Sequence, residues 1–231
     1  MPARTTPVQG YDAAPAIALL KKHALLQYPY LCTFGKARLI IEKGVFCPVL
    51  TNVSPFLLKN VDFKPGEHVL DAFAGSGAFG VNAALYNAKV TAFDTSLQAI
   101  NCTQQNAQLN GVSERIEARL GTLDETILPD ETFELIIANP PLLDGTPSDE
   151  LEATLFDEGL LATKDFISAL PKLLSPNGRC YLVTSDVIER DGRYDINKVC
   201  HRLGLEATTV ARLHPGYESY RVHRIILSSN A

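Results

Sequence analysis

From Pro65-Gly66 onward the chain alternates short apolar runs with longer amphipathic stretches, and this alternation constrains its fold more than any other feature. Residues 68–71, 89–93, 116–120, 133–138, 179–184, 205–211 and 221–227 read as strands. Residues 78–86, 96–109, 159–174 and 195–203 read as helices. The run 133–138 (FELIIA) is continuously apolar, the pattern of a strand covered on both faces. Strands separated by helices form right-handed crossovers and a parallel sheet. The expected fold is therefore α/β: a doubly wound, mostly parallel seven-stranded sheet with helices on both faces. Ligands bind such sheets at the carboxyl ends of the strands, where strand order reverses.

The first 65 residues are less regular. Residues 1–10 are rich in Pro and Thr and are expected to fray. In 12–27, Ile17, Leu20, His23 and Leu25/Leu26 fall near helical spacing. Residues 38–41 and 45–47 read as short strands around a turn at Gly44. Ser54 and Pro55 read as the cap and first position of a short helix to Lys59. Asn110-Gly111 reads as a left-handed helix cap, and Ser175-Pro-Asn-Gly178 as a stop. The expected division is an N-terminal extension over 1–43 and a main domain over 44–231.

Composition narrows the class. The 231 residues carry a net charge of −5, and 46% are apolar. A chain this long buries roughly 70–75% of its unfolded surface. Acidic residues outnumber basic ones by 26 to 21, which excludes a uniformly basic nucleic-acid binder. The five cysteines (Cys32, Cys47, Cys102, Cys180 and Cys200) form no C-x-x-C pair. A disulfide framework and a metal site are thus not expected, and a reducing, cytoplasmic setting is. No stretch approaches the roughly 20 apolar residues of a membrane span.

The first regular strand exits into Asp71-Ala-Phe73-Ala74-Gly75-Ser76-Gly77-Ala-Phe-Gly80. Glycines permit a tight turn and close approach of a ligand to the main chain. The helix that follows aims its positive end at the same place. Asp94 ends the second strand, 19 residues after Gly75, where a carboxylate can accept both hydroxyls of a ribose. These parts together point to a nucleoside cofactor. Gly75-x-Gly77-x-x-Gly80 also fits a dinucleotide loop, so NAD stays open at this point. Asp71 leans the other way, since a carboxylate repels a pyrophosphate and suits a cationic cofactor.

FELIIA runs directly into Asn139-Pro140-Pro141-Leu142. Pro140 holds Asn139 extended, and the two prolines end the ladder. The Asn139 side-chain oxygen and the Pro140 carbonyl then offer two acceptors at one spot, a match for the two donors of an NH₂ group. An amine held this way can direct its lone pair at an electrophile, and positioning supplies much of the catalysis.

Asp71-x-Phe73-x-Gly75-x-Gly77, Asp94 and Asn139-Pro-Pro-Leu142 resemble the class I S-adenosylmethionine-dependent methyltransferases. More narrowly they resemble the small-domain amino-methyltransferases, which include the protein-glutamine and ribosomal RNA guanine-N2 enzymes. The resemblance covers about residues 44–185 and implies a Rossmann-like fold with S-adenosyl-L-methionine as cofactor. It implies that Asp71, Phe73, Ala74, Gly75, Ser76 and Gly77 line the methionine part. It gives Asp94 the ribose and puts Thr95 near the adenine. Thr122 and Leu123 stand where the family contacts the adenine amino group, with Thr122 in place of the usual Asp. Asn139, Pro140, Pro141 and Leu142 form the catalytic element. Leu142 departs from the usual aromatic residue; Phe46, Phe56 or Phe156 could supply a ring from elsewhere. Residues 44–58 resemble the family's lead-in, which lies over the cofactor.

Residues 144–158 hold six acids and no base, a loop that would rim the site and repel phosphate. Basic residues gather at Lys36, Arg38 and Lys43, at Arg190, Arg193, Lys198 and Arg202, and with Tyr217 and Tyr220 near the last strand. The histidines show no metal spacing, and none is assigned to catalysis. The expected activity is methyl transfer to an amide or exocyclic amine of a protein or RNA, without metal or membrane. The alternatives are a small-molecule acceptor, a non-catalytic cofactor-binding module and an NAD-dependent dehydrogenase.

Overall fold

A computed structural model describes residues 14–189, 194–216 and 218–229. Residues 1–13, Arg190, Arg193 and Tyr217, on which some of the expectations fall, lie outside the described residues. The chain runs α1 (Ala14–Ala24), β1 (Tyr30–Phe34), β2 (Ala37–Ile41), α2 (Val53–Asn60), β3 (His68–Ala72), α3 (Ala78–Leu85), β4 (Lys89–Asp94), α4 (Leu97–Leu109), β5 (Ile116–Leu120) and α5 (Leu123–Thr126). It continues through β6 (Phe133–Ala138), β7 (Leu143–Asp144), α6 (Glu150–Ala153), β8 (Phe156–Asp157), α7 (Leu161–Leu173), β9 (Leu174–Ser185), α8 (Ile196–Arg202), β10 (Leu205–Leu213) and β11 (Tyr220–Leu227).

The main sheet has seven strands in the order β10-β11-β9-β6-β3-β4-β5. β5, β4, β3, β6 and β9 pair in parallel, and β11 enters antiparallel between β9 and β10. From β3 the chain steps outward to β4 and β5, then returns to lay β6 on the other side of β3. The switch point is thus between β3 and β6. Successive residues of these strands feed opposite faces: Val69, Leu135 and Ile137 join one core, and Leu70, Ile136 and Ala138 the other. Burial on both faces explains why β6 reads as unbroken apolar sequence.

The structure corrects several local expectations. Residues 45–47 make no strand, because β2 is already paired with β1 as a hairpin and the segment turns at Gly44 into a short 3-10 turn, Pro48–Leu50. The cap position of α2 is Asn52, two residues ahead of the predicted cap, so Ser54 lies inside the helix. α7 starts at Leu161, because Gly159 and Leu160 both take positive φ. Ser175 to Gly178 does not end a helix in open loop but bulges within β9, between the pairs Phe133↔Leu174 and Leu135↔Arg179. In α1, His23 is buried as expected, whereas Ile17 is 44% exposed.

The β1–β2 hairpin packs into the same core as the sheet through Phe34, Leu39 and Ile41. Asparagines dock it. Asn106 accepts from the Ile40 N–H at 2.7 Å and donates to the Ile40 carbonyl at 2.9 Å. Asn110 does the same for Arg38 at 3.0 and 2.7 Å. Two amides four residues apart, Asn106 on α4 and Asn110 at its C-cap, thereby stand in for a neighbouring strand.

Candidate active site

A cavity of about 620 Å³ opens at the switch point. One wall is the loop after β3, residues Phe73 to Ser76, together with Asp94, Thr95 and Ser96 from the end of β4. The opposite wall is Asn139 to Leu143, leaving β6. Phe46, Pro48 and the start of α2 close one side, and Glu218, just before β11, and Tyr220, its first residue, another. Pro15, Ala18, Leu19 and Lys22 of α1, one face of that helix, complete the lining.

The loop after β3 is fixed by hydrogen bonds before any ligand arrives. Asp94 Oδ2 accepts from the Gly75 N–H at 2.9 Å, and its Oδ1 accepts from the Ser96 N–H at 2.9 Å. Each carboxylate oxygen retains a lone pair for a further donor. Burial pushes the Asp94 carboxyl upward, and the Ser96, Gly75 and Thr95 N–H groups pull against that shift. Thr103 donates to the Gly75 carbonyl at 3.1 Å, and Asn106 to the Ser76 carbonyl at 2.9 Å. Phe73 takes φ +59, a left-handed conformation costing a side-chain-bearing residue on the order of 1 kcal/mol. Its ring is drawn toward Phe93 and Phe166, at 5.7 and 5.6 Å between centroids.

Two glycines have distinct tasks. Gly77 sits at φ +71 as the cap of α3. A Cβ on Gly80 would stand 2.9 Å from Asp71 Oδ2, so Gly80 lets α3 approach β3 closely.

Some predicted site residues lie elsewhere. Asp71 is fully buried and off the cavity wall. Its Oδ2 accepts from the Gly80 N–H at 2.7 Å, while its Oδ1 has no hydrogen-bond partner among the described residues. Desolvation pushes this carboxyl up to about 8, which favours its neutral form. Gly77 faces Thr103 rather than the cavity. Thr122 is turned into a capping box, its hydroxyl and N–H both donating to Glu125 Oε2, and Leu123 packs against the same core as Phe73. Neither lines the cavity. Of the three rings that could replace an aromatic residue at Leu142, only Phe46 is on the wall; Phe56 packs against one core and Phe156 lies in a small core with Ala16 and Leu143.

The acidic loop is more ordered than a solvated rim. Asp144 accepts from Gly159 N–H, Asp157 from Ala162 N–H and Asp149 from Glu152 N–H, while Glu152 takes the Ser148 hydroxyl and N–H. Four of its acids therefore satisfy backbone or side-chain donors, and Glu150 faces the cavity. Sequence reasoning missed α1 as part of the lining. Its signal was the spacing of residues 15, 18, 19 and 22, a second helical stripe beside the one counted.

All five cysteines are free thiols. Among the described residues no helix is long and apolar enough to cross a membrane, and no group of three His, Cys, Asp or Glu is placed to hold a metal.

The sheet order and the cavity at its switch point define a Rossmann-like α/β protein built to bind a ligand at the carboxyl ends of parallel strands. The chain belongs to the methyltransferase small domain family, whose family model matches residues 36–193. It is 29% identical over 163 residues to a release factor glutamine methyltransferase of Rhodopirellula baltica, covering 67% of this chain and 52% of that one. It is 34% identical over 124 residues to a ribosomal protein uL3 glutamine methyltransferase of Bradyrhizobium diazoefficiens, covering 48% of this chain and 39% of that one. The chain thus spans about half the length, or less, of these relatives. Among solved structures, Trm5b from Pyrococcus abyssi superposes with a TM-score of 0.62 at 18% identity, over 86% of this chain and 55% of that one, a likeness of fold.

Proposed function

We propose that this protein transfers a methyl group from S-adenosylmethionine to nitrogen, the acceptor being an amide or exocyclic amine of a protein or RNA. One observation carries the reading: a single cavity has the glycine loop and Asp94 on one wall and Asn139-Pro140-Pro141-Leu142 on the other. The residues fit the cofactor, for a Cβ on Gly75 would meet nothing within 4 Å, leaving its backbone open to close approach, with the Asp94 carboxylate beside it. When bound, the cofactor supplies an electrophilic methyl group on a positively charged sulfur.

The chain's own residues do the rest. Phe73, Ala74, Gly75 and Ser76 receive the methionine part, Asp94 accepts from ribose hydroxyls, and Thr95 lies beside the nucleoside. Asn139 Oδ1 and the Pro140 carbonyl each accept one N–H of the acceptor NH₂ group. The nitrogen is thereby oriented with its lone pair toward the loop. Leu142 and Phe46 keep the meeting point apolar and exclude water. Orientation of this kind can supply about 7–11 kcal/mol of a barrier. The glutamine-directed relatives support an amide acceptor. A second reading, a small-molecule acceptor, is favoured by α1, whose Pro15, Ala18, Leu19 and Lys22 line the cavity and limit the room for a bulky partner. A cytoplasmic setting and a role for α1 as a cover over the site belong to the same proposal.

Incubation with methyl-labelled cofactor and cell extract, separated into RNA, protein and small-molecule fractions, tests the acceptor class. Label in one fraction is expected. Calorimetry with S-adenosylhomocysteine tests the cofactor: no binding at a ligand concentration of about 100 μM, which corresponds to roughly −5.5 kcal/mol, sinks the reading. Asn139→Ala is expected to lose roughly 10²–10³-fold in kcat, comparable to removal of one oxyanion-hole group, with cofactor affinity unchanged.

A further inference from the structure

The side-chain amide of Asn139 has two unlike ends. Its oxygen accepts hydrogen bonds and its nitrogen only donates. An amide turned the wrong way would set two N–H donors against the N–H groups of the acceptor. The site therefore needs something that selects one orientation.

Asn139 Nδ2 donates to Ser54 Oγ at 3.3 Å. Ser54 is fully buried in the first turn of α2, borders the same cavity, and lies 85 residues away in sequence. The cap position of α2 belongs to Asn52, so the Ser54 side chain is not the helix cap. The main chain on the far side of the element is held separately, because Ser185 Oγ donates to the Leu142 carbonyl at 2.8 Å. With the backbone tied there, the freedom left to Asn139 is rotation of its amide.

We propose that Ser54 is a positioning residue: by accepting from Asn139 Nδ2 it satisfies the donor end of the amide in the orientation that faces Oδ1 to the acceptor nitrogen. This deepens, and rests on, the role given to Asn139 above. Removal of the hydroxyl takes this partner from Nδ2 in that orientation, so the productive amide is held less firmly against the acceptor N–H groups. The cofactor wall does not depend on it.

The test uses the full chain, labelled cofactor and the extract fraction that the wild type methylates. Ser54→Ala is expected to lower kcat roughly 10- to 100-fold, while the Kd for S-adenosylhomocysteine changes less than about twofold. Ser54→Thr, which keeps a hydroxyl, is expected to recover most of the loss. Asn139→Asp gives the decisive background, because a carboxylate presents an oxygen whichever way it turns. There Ser54→Ala is expected to cost less than about threefold. An equal loss in both backgrounds overturns the proposal and makes Ser54 a packing residue, as does wild-type kcat in Ser54→Ala. Full activity in Asn139→Ala overturns the role of Asn139 itself, a different failure. Proton exchange of the Asn139 NH₂, followed by NMR, needs no acceptor: it is expected to quicken in Ser54→Ala, and an unchanged rate also overturns the proposal.

Discussion

The two walls of the cavity are held by different means. The loop after β3 draws its partners from residues 71–106, the chain immediately around it, and Asp94, Thr103 and Asn106 all bond its backbone. The Asn139 to Leu142 element is tied from far away, by Ser54 at one end and Ser185 at the other. The first wall is a product of the βαβ unit that contains it. The second exists only once α2, β6 and β9 have assembled. A cofactor wall that is locally determined can stay constant while an acceptor wall built from distant segments changes with the substrate.

The sharpest way to break this contrast is at Asn106, which serves both the loop and the hairpin. Asn106→Ala strands the Ile40 N–H and the Ser76 carbonyl around the fully buried Asn106 position, the Ile40 carbonyl keeping only the Cys102 thiol at 3.2 Å. The expected loss is about 3 kcal/mol, since each unsatisfied buried group costs roughly 1–3 kcal/mol. It should appear as a lower urea midpoint with an unchanged slope. A loss under about 1 kcal/mol would show that the hairpin is only an appendage.

The second test is a pH dependence. Asp71 lies beneath the loop with its carboxyl raised to about 8. In the unfolded chain it ionises near its ordinary value of 3.8, so between these values the folded state holds one proton more. Stability then falls as pH rises, at most about 1.4 kcal/mol per unit. His23 and His223, lowered to about 4 by burial, act in the opposite sense between 4 and their ordinary 6.5. Above 6.5 these histidines no longer contribute, and Asp71 is expected to lower stability on the order of 2 kcal/mol up to pH 8. Asp71→Asn should flatten urea midpoints over that window. An unchanged slope would mean the carboxyl is ionised in the fold.

Legibility in the sequence follows the same division. The main sheet was readable because its strands are apolar runs bounded by Gly, Pro and Asn, and a strand covered on both faces cannot hide its composition. Asn139-Pro-Pro stood out because prolines cannot extend β6. Part of what the sequence did not show lies in contacts between separated segments. Nothing local says that Asp71 turns toward Gly80 rather than outward, or that Asn106 and Asn110 will meet β2. The Thr122 capping box is written in the sequence as Thr122-x-x-Glu125, a helix-start signal that sequence reasoning did not read. The α1 stripe at 15, 18, 19 and 22 is mostly small or polar, so it did not register as a face with something to cover.

A third test returns to the cofactor wall. Asp94→Asn keeps one accepting oxygen but loses the charge and one of two acceptors that now hold Gly75 and Ser96. The expected result is about tenfold weaker S-adenosylhomocysteine binding by calorimetry, or about 1.4 kcal/mol. Unchanged affinity would remove Asp94 from the ligand site.

The smallest expected effect is at Ser185, and it separates the two tethers of the acceptor wall. Its hydroxyl donates to the Leu142 carbonyl at 2.8 Å and accepts from the Val187 N–H at 3.3 Å. Ser185→Ala breaks both bonds, but Leu142 borders the cavity and its carbonyl can take water once the serine is gone. Stability should therefore drop by only about 1 kcal/mol, the ordinary net worth of a hydrogen bond. Cofactor affinity should stay unchanged, because no loop contact passes through Ser185. The backbone of Asn139 to Leu142 gains some freedom, while Ser54 still orients the amide, so methyl transfer should fall only severalfold, less than in Ser54→Ala. If Ser185→Ala instead weakens cofactor binding as strongly as Asp94→Asn, the two walls are one cooperative unit and the contrast between them fails.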